Sequence, residues 1–385
     1  MGRLNIFTLF YTLLDVSFRI VPAFAIGSSE GFASGVTGGG SATAQTPTSI
    51  SQLATWLSDS TARVIVLDKI FDFTTSEGTR TGSVCSPWTC SPNPQQAIAD
   101  STWCDPYPKT TGTWNVAGKT ALRVGSDEVS IYLTSDPGLG CIKGKGLTVN
   151  GSKNVIIQNI QIADINERYV WGGDAIDVSG SDLVWIDHNY IARIGRQFIV
   201  THFGTTAPQR VTITNNVFDG RSTYAPGCNG KAYWIMLILG VNDKITIARN
   251  QLSGRGPHAG GTAGNNQLVH IYNNYYNTID GHAPDIGTGA KALVEGNYFK
   301  VVTTPITTDT TGAAYVPVKD ENLTACATYI GRNCVVNTSY VYFCFGNSPL
   351  FSFLTICTVI CSLNAEAFPV LTWGLCRTSQ PTSQQ

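Results

Sequence analysis

Leu183-Val184-Trp185-Ile186-Asp187-His188-Asn189-Tyr190-Ile191 runs alternating aliphatic residues into an asparagine and then an aromatic–aliphatic pair. The same grammar recurs in 155–162, 211–218, 245–252, 268–276 and 292–299, with asparagines at Asn159, Asn216, Asn250, Asn274 and Asn297. Along this series, Asn189 included, consecutive asparagines lie mostly between 23 and 34 residues apart. Alternation inside each stretch predicts β-strand. A recurrence of that length marks a repeat architecture, each repeat being one strand-rich coil with a loop of its own length. Asparagine tolerates the left-handed backbone of a sharp bend, and stacked amides can hydrogen-bond from coil to coil. A solenoid of β-coils from about residue 129 is therefore expected. A β-sandwich whose turns favour asparagine is the alternative.

Upstream, Ile50, Leu53, Ala54 and Leu57 fall on one helical face, and Ser49 with Gln52 has the spacing of a capping box. One short amphipathic helix ahead of many strands suits a solenoid, because its terminal coil must be covered or its open edge invites aggregation. Charged residues are 13% of the 385, against a typical ~25%. Elongated repeat folds reach this length as a single domain. Basic and acidic side chains number 25 and 26, and nothing forms the basic stripe that nucleic-acid binding needs.

The ends differ from the middle. Residues 1–25 read as a signal peptide: Arg3 precedes an apolar run, and Ala23-Phe24-Ala25 offers small residues for cleavage, although Asp15 and Arg19 interrupt the run. Secretion to the extracellular space is expected, and Asn150, Asn322 and Asn337 begin glycosylation sequons. Eleven cysteines occur without a C-x-x-C pair or a zinc-like cluster. The expected organisation is a leader over 1–25, a β-solenoid over 26–337, and a divergent tail over 338–385 rich in Phe, Leu, Ile and Cys. The cleanest apolar stretch of the tail, 349–363, is shorter than the ~18–20 residues of a membrane span.

Several separated phrases keep one order: Val170-Trp171-Gly172-Gly173-Asp174, Trp185-Ile186-Asp187-His188, Ala192-Arg193-Ile194-Gly195-Arg196-Gln197, Ser253-Gly254-Arg255-Gly256-Pro257, Asp280-Gly281-His282-Ala283 and Leu293-Val294-Glu295-Gly296-Asn297. Together they resemble the fungal pectin lyases, from about 31 to 337, with one visibly shortened stretch around 137–141. The resemblance implies an all-β fold, a right-handed parallel β-helix with an N-terminal capping helix, acting as a monomer. It places the family's essential arginine on Arg255, the companion arginine on Arg196 and the acidic member of the site on Asp174. Substrate-lining tryptophans fall on Trp88, Trp103, Trp171 and Trp234. His258 stands where the family usually has lysine, and is counted with the substrate-binding residues. The implied disulfides are Cys85–Cys104, Cys90–Cys228 and Cys326–Cys334, which leaves Cys141 and the tail cysteines without a family partner.

The chemistry accounts for these residue types. Pectin is galacturonan whose carboxylates are largely methyl-esterified. Eliminative cleavage takes the proton at C5, expels the oxygen at C4 and leaves a 4,5-unsaturated uronide end. It requires a base near C5 and positive charge near the carbonyl oxygen that becomes enolate-like. An ionised carboxylate would give a dianionic enolate, for which pectate lyases use calcium. A methyl ester is neutral, so one guanidinium suffices. Arg196, steered by Asp174, fits that role. Only one carboxylate of a calcium cluster is evident, so neither metal nor cofactor is expected. Arg255 as base is the awkward step: removing a proton from a group of pKa ~12.5 at pH 7 costs at least ~7 kcal/mol. A neutral His258 would lower that cost less than a lysine does.

Other functions stay open at this point. Calcium-dependent pectate lyase is the nearest, and a catalytically defective polysaccharide-binding β-helix is another. A hydrolase of the polygalacturonase type would need paired carboxyls flanking one bond, and the expected Asp pairs are missing. Asp187 and His188 read as structural, and His282 as packed.

Overall fold

A computed structural model of the chain describes residues 27–125, 129–133, 140–201, 209–307 and 311–340. The expected leader lies outside these residues, as does the tail beyond Tyr340. Each apolar stretch singled out in the sequence is two strands rather than one: Lys153–Gln158 with Gln161–Ile165, Asp182–Asp187 with Tyr190–Ile194, and Lys244–Ala248 with Gln251–Arg255. The bend between them opens on a left-handed residue: Asn159, His188, Asn215, Arg249, Asn273 or Gly296, with φ between 52° and 62°. A loop and a third short strand complete each coil, for instance Ile176–Ser179, Ile199–Thr201, Met236–Ile238 and Pro257–Ala259. Successive coils pair in parallel, giving sheets of ten, nine and seven strands among the described residues. The fold is a right-handed parallel β-helix.

Strict register builds the core. Ile157, Ile186, Ile213, Ile247, Ile271 and Val294 lie opposite one another in consecutive coils, and all are buried. Each such side chain stabilises the fold by roughly 1.5–3 kcal/mol relative to exposure. The stack starts earlier than residue 129: Arg63–Leu67 pairs with the strand Val129–Leu133, and Ile70–Asp72 with Cys141–Lys143.

The asparagine ladder differs in two places from the sequence reading. Asn159 takes the left-handed position one residue early, so the first rung is Ile160, whose N–H donates to Asn189 Oδ1 at 3.1 Å. From Asn189 the rungs are Asn216, Asn250, Asn274, Asn297 and then Asn337. At each rung Nδ2 donates to the next amide oxygen and to a carbonyl of the preceding coil, as Asn250 does to Asn274 Oδ1 at 3.0 Å and Ile213 O at 2.9 Å. Asn337 Nδ2 donates to Val294 O at 2.7 Å and Pro317 O at 3.1 Å. Both its amide hydrogens are thus engaged in the last rung among the described residues. The final strand, Thr338–Tyr340, pairs with Tyr298–Lys300. Among the described residues the last coil thus runs to Tyr340.

The capping helix is Ile50–Ser58, with Leu53 and Leu57 buried and Ile50 and Ala54 packed beside them. Ser49 Oγ accepts from Gln52 N at 3.1 Å. The reciprocal half of the capping box goes elsewhere: Gln52 Oε1 accepts from Thr48 N at 2.7 Å. Asp187 and His188 tie coils together, Asp187 accepting from Thr214 Oγ1 at 2.7 Å and Asn215 Nδ2 at 2.8 Å.

Between the first coils the chain makes an excursion, Thr79–Cys85, Gln96–Ile98 and Lys109–Asn115, which forms a small sheet with Tyr169–Val170. Cys85–Cys104 closes it, Cys90–Cys228 ties it to the loop after Asp219, and Cys326–Cys334 lies near the far end. Cys141, for which the sequence offered no partner, is also disulfide-bonded.

Candidate active site

The candidate residues gather where each coil leaves its second strand for its third. Asp174 precedes Ile176–Ser179, Arg196 lies between Tyr190–Ile194 and Ile199–Thr201, and Arg255 ends Gln251–Arg255. Coil stacking thus brings together residues far apart in the chain. Two glycines shape this corner. Gly173 holds φ 132°, and a Cβ there would collide with the Gly118 carbonyl; Gly254 holds φ 102°, and a Cβ there would sit 2.9 Å from Gly220 Cα.

Arg196 is locked. Its Nε donates to Asp174 Oδ1 at 2.9 Å and its Nη2 to Asp174 Oδ2 at 2.7 Å, a two-point charge-assisted contact. Gln197 N donates to the same Oδ1 at 2.9 Å, fixing the carboxylate in turn. The guanidinium lies over Trp171, 4.7 Å from its centroid. Trp171 has φ 67°, a strained conformation for a bulky residue. Asn166 supports that turn, its Nδ2 donating to Gly172 O at 2.8 Å.

Arg255 is held more loosely. One nitrogen, Nη2, donates to Asp280 Oδ2 at 3.2 Å, and its Nε is buried without a partner. Arg255 and Asp280 are register partners on adjacent strands, as are His258 and Asp285. His258 Nδ1 and Asp285 Oδ2 are 2.6 Å apart, so the ring N–H donates to the carboxylate. Burial alone would raise the Asp280 carboxyl, but Asn229, Arg255 and Lys231 outweigh it and hold the carboxyl below its ordinary range.

An aromatic belt joins the two arginines. Trp171 meets Trp103 at 6.0 Å, Trp103 meets Trp88 at 6.3 Å, Trp88 meets Tyr233 at 5.8 Å, and Tyr233 meets Trp234 at 6.3 Å. Trp234 lies 6.0 Å from the Arg255 guanidinium and packs on His258 at 6.4 Å and His282 at 5.2 Å. Burial pushes the Tyr233 phenol upward, while Arg196 and Arg255 both pull it down, so the two guanidiniums act on one hydroxyl. All eight side chains singled out in the sequence for catalysis or substrate binding thus occupy one connected site. Asp280, Asp285, Tyr233 and Tyr107, the last 5.4 Å from Trp103, were given no role. The coil repeat carried a signal for two of them, since Asp280 lies 25 residues after Arg255 and Asp285 27 after His258.

Among the described residues no group of three or more His, Cys, Asp or Glu could hold a metal ion. Asn150, at the end of Leu147–Asn150, is exposed. The side chain of Asn322 lies outside the described residues.

Comparison with known proteins agrees with the geometry. A family described as pectate lyase matches residues 21–343. A probable pectin lyase B of Aspergillus niger is 46% identical over 334 residues, 85% of this chain and 84% of that one. Pectin lyase D of Aspergillus niger is 46% identical over 321 residues, 81% of this chain and 83% of that one. Among solved structures, a pectate lyase from Bacillus sp. N165 in complex with trigalacturonate superposes with a TM-score of 0.50 at 16% identity, covering 86% of this chain and 94% of that one. A Bacillus subtilis pectate lyase variant gives 0.50 at 18% identity, covering 77% and 86%. At such identity the solved structures speak to the fold.

Proposed function

This chain belongs to the pectate lyase family, and on that premise we propose that it is a secreted, monomeric endo-pectin lyase that cleaves methyl-esterified galacturonan by β-elimination. The observation that carries this reading is the pair of guanidiniums at the two ends of one aromatic belt, Arg196 over Trp171 and Arg255 over Trp234. A neutral ester polymer has little charge to bind, so ring faces supply the affinity. Trp88, Trp103, Trp171 and Trp234 offer such faces beside the arginines.

In this mechanism Arg196 is a fixed cation. Asp174 occupies its Nε and Nη2, leaving Nη1 to donate to the ester carbonyl as negative charge develops there. Arg255, once in its neutral guanidine form, takes the C5 proton and becomes the cation; the C5–H electron pair forms the C4=C5 bond, and the C4–O bond breaks with its oxygen leaving to take up a proton from solvent. Asp280 opposes the loss of a proton from Arg255, because an adjacent carboxylate favours the cation. That opposition is limited: the contact is one hydrogen bond at 3.2 Å, and Asn229 and Lys231 share the same carboxylate. His258, paired with Asp285, packs beside Trp234.

The test is direct. Purified protein incubated with highly methylated pectin and a chelator should produce the ultraviolet absorbance of an unsaturated uronide. Absorbance only with unesterified pectate and added calcium would reassign the substrate.

A further inference from the structure

A second groove lies at a different corner of the coils, where the third strand turns back to the first sheet. It has a volume of about 440 Å³ and is lined by Asn242, Lys244, Asn266, Gln267, Leu268 and Lys291. None of these belongs to the site described above. Lys244, Leu268 and Lys291 are register partners on three consecutive strands, so the two lysines stand two rungs apart, about 9–10 Å. Both are exposed. Neither has an acidic partner among the described residues, whereas Arg210, one rung before Lys244, is neutralised by Asp182 at 2.5 Å. The nearest acid in sequence, Asp243, is fully buried and accepts from Gln209 Nε2 at 3.1 Å. Leu268 is 43% exposed between the lysines.

We propose that this groove is a second polysaccharide site that binds unesterified, carboxylate-bearing stretches of galacturonan. The chemistry is complementary to that of the catalytic corner. There, aromatic faces suit a neutral ester. Here, two uncompensated ammonium groups flank an apolar step, with amides of Asn242 and Asn266 at the rim. A polyuronate presents carboxylates at a regular repeat beside the C–H faces of its rings, and two lysines held at the coil spacing match a repeating anion better than an isolated one. A partly esterified polymer carries both kinds of stretch, so this groove would hold the chain while the ester-rich part enters the cleft. The identity of the ligand rests on the reading that the protein works on galacturonan.

The experiment compares the full-length protein with the double variant Lys244→Gln/Lys291→Gln on three probes, at low salt and with chelator present. Retention on immobilised unesterified pectate should weaken about tenfold, and KM on partly esterified polymer should rise by a similar factor. Turnover of a short, fully methylated galacturonate oligomer should stay unchanged, which also reports correct folding. Retention equal to that of the parent would overturn the proposal. So would competition by inorganic phosphate as effective as that by unesterified oligomer at equal charge, because the groove would then be a general anion site. If the protein cleaves no pectin but still binds pectate through these lysines, the lyase reading falls and the groove stands. Cleavage with lysine-independent binding gives the reverse.

Discussion

Two corners of the same coils obey opposite rules. At the bend between first and second strands, the same residue type recurs from Asn189 to Asn337, and every ladder amide has its donors and acceptor engaged. At the corner leading to the third strand, every coil contributes something different: Asp174, Arg196, Tyr233 with Trp234, then Arg255 with His258. That corner also leaves Arg255 Nε and Trp171 Nε1 buried and unpartnered and keeps Trp171 in a strained backbone. Unpaired buried polar groups cost about 1–3 kcal/mol each. The ladder removes such costs, and the site tolerates them. A repeating fold can do both because each coil is stabilised mainly by its neighbours, so one corner can vary while the other holds register.

The sharpest contrast between the corners comes from removing Arg255. Arg255→Ala should lower kcat/KM on methylated pectin by roughly 10³–10⁴-fold, the scale of a lost acid–base group. The midpoint of thermal unfolding should hardly move, because among the described residues this guanidinium makes a single ion pair. Retained turnover would place the base elsewhere. Asn250→Ala should do the opposite. It leaves the Asn216 N–H and one Asn216 amide hydrogen without their acceptor and removes one donor each from the Ile213 carbonyl and the Asn274 oxygen, the latter keeping the Asn250 N–H. A loss of about 3 kcal/mol in chemical denaturation is expected, with near-normal kcat in the fraction that remains folded. A stable Asn250→Ala protein would mean that the ladder follows register rather than enforcing it.

A smaller effect concerns pH. Burial pushes the Asp243 carboxyl up to about 6, Gln209 and Thr201 offsetting only part of it. Its folded state therefore holds a proton that the unfolded chain has released above about pH 4. Stability should fall as pH rises from about 4 to about 6, by on the order of 3 kcal/mol, and stay at the lower level above that. Asp243→Asn keeps one oxygen for Gln209 and should flatten this slope, measured by urea titration at pH 4.5 and 7. An unchanged slope would assign it to another group.

Much of this was legible along the chain because the information is local. Alternating aliphatics and a recurring Asn mark coils of variable length, and the helix with Leu53 and Leu57 inward follows from spacing alone. Arg196, Arg255 and Asp174 stood out through the phrases that hold them. What escaped were relations between coils. Asn159 and Asn189 look alike in sequence, yet one takes the left-handed bend and the other a rung, because a shift of one residue exchanges the two positions. That Asn337 is also a rung of the ladder appears only when the coil before it supplies two carbonyls to its amide.

The sequence by itself determined the solenoid and its cap, since periodicity survives in one dimension, and the short phrases around Arg196 and Arg255 carried the family resemblance. Only the tertiary structure decided that Asp280 faces Arg255, that Asp285 faces His258, and that Tyr233 completes an aromatic belt reaching Trp88. It alone set Lys244 and Lys291 two rungs apart around Leu268. Those pairings depend on the length of every intervening loop, which sets the register between coils, and register is a property of the stacked strands rather than of any segment read alone.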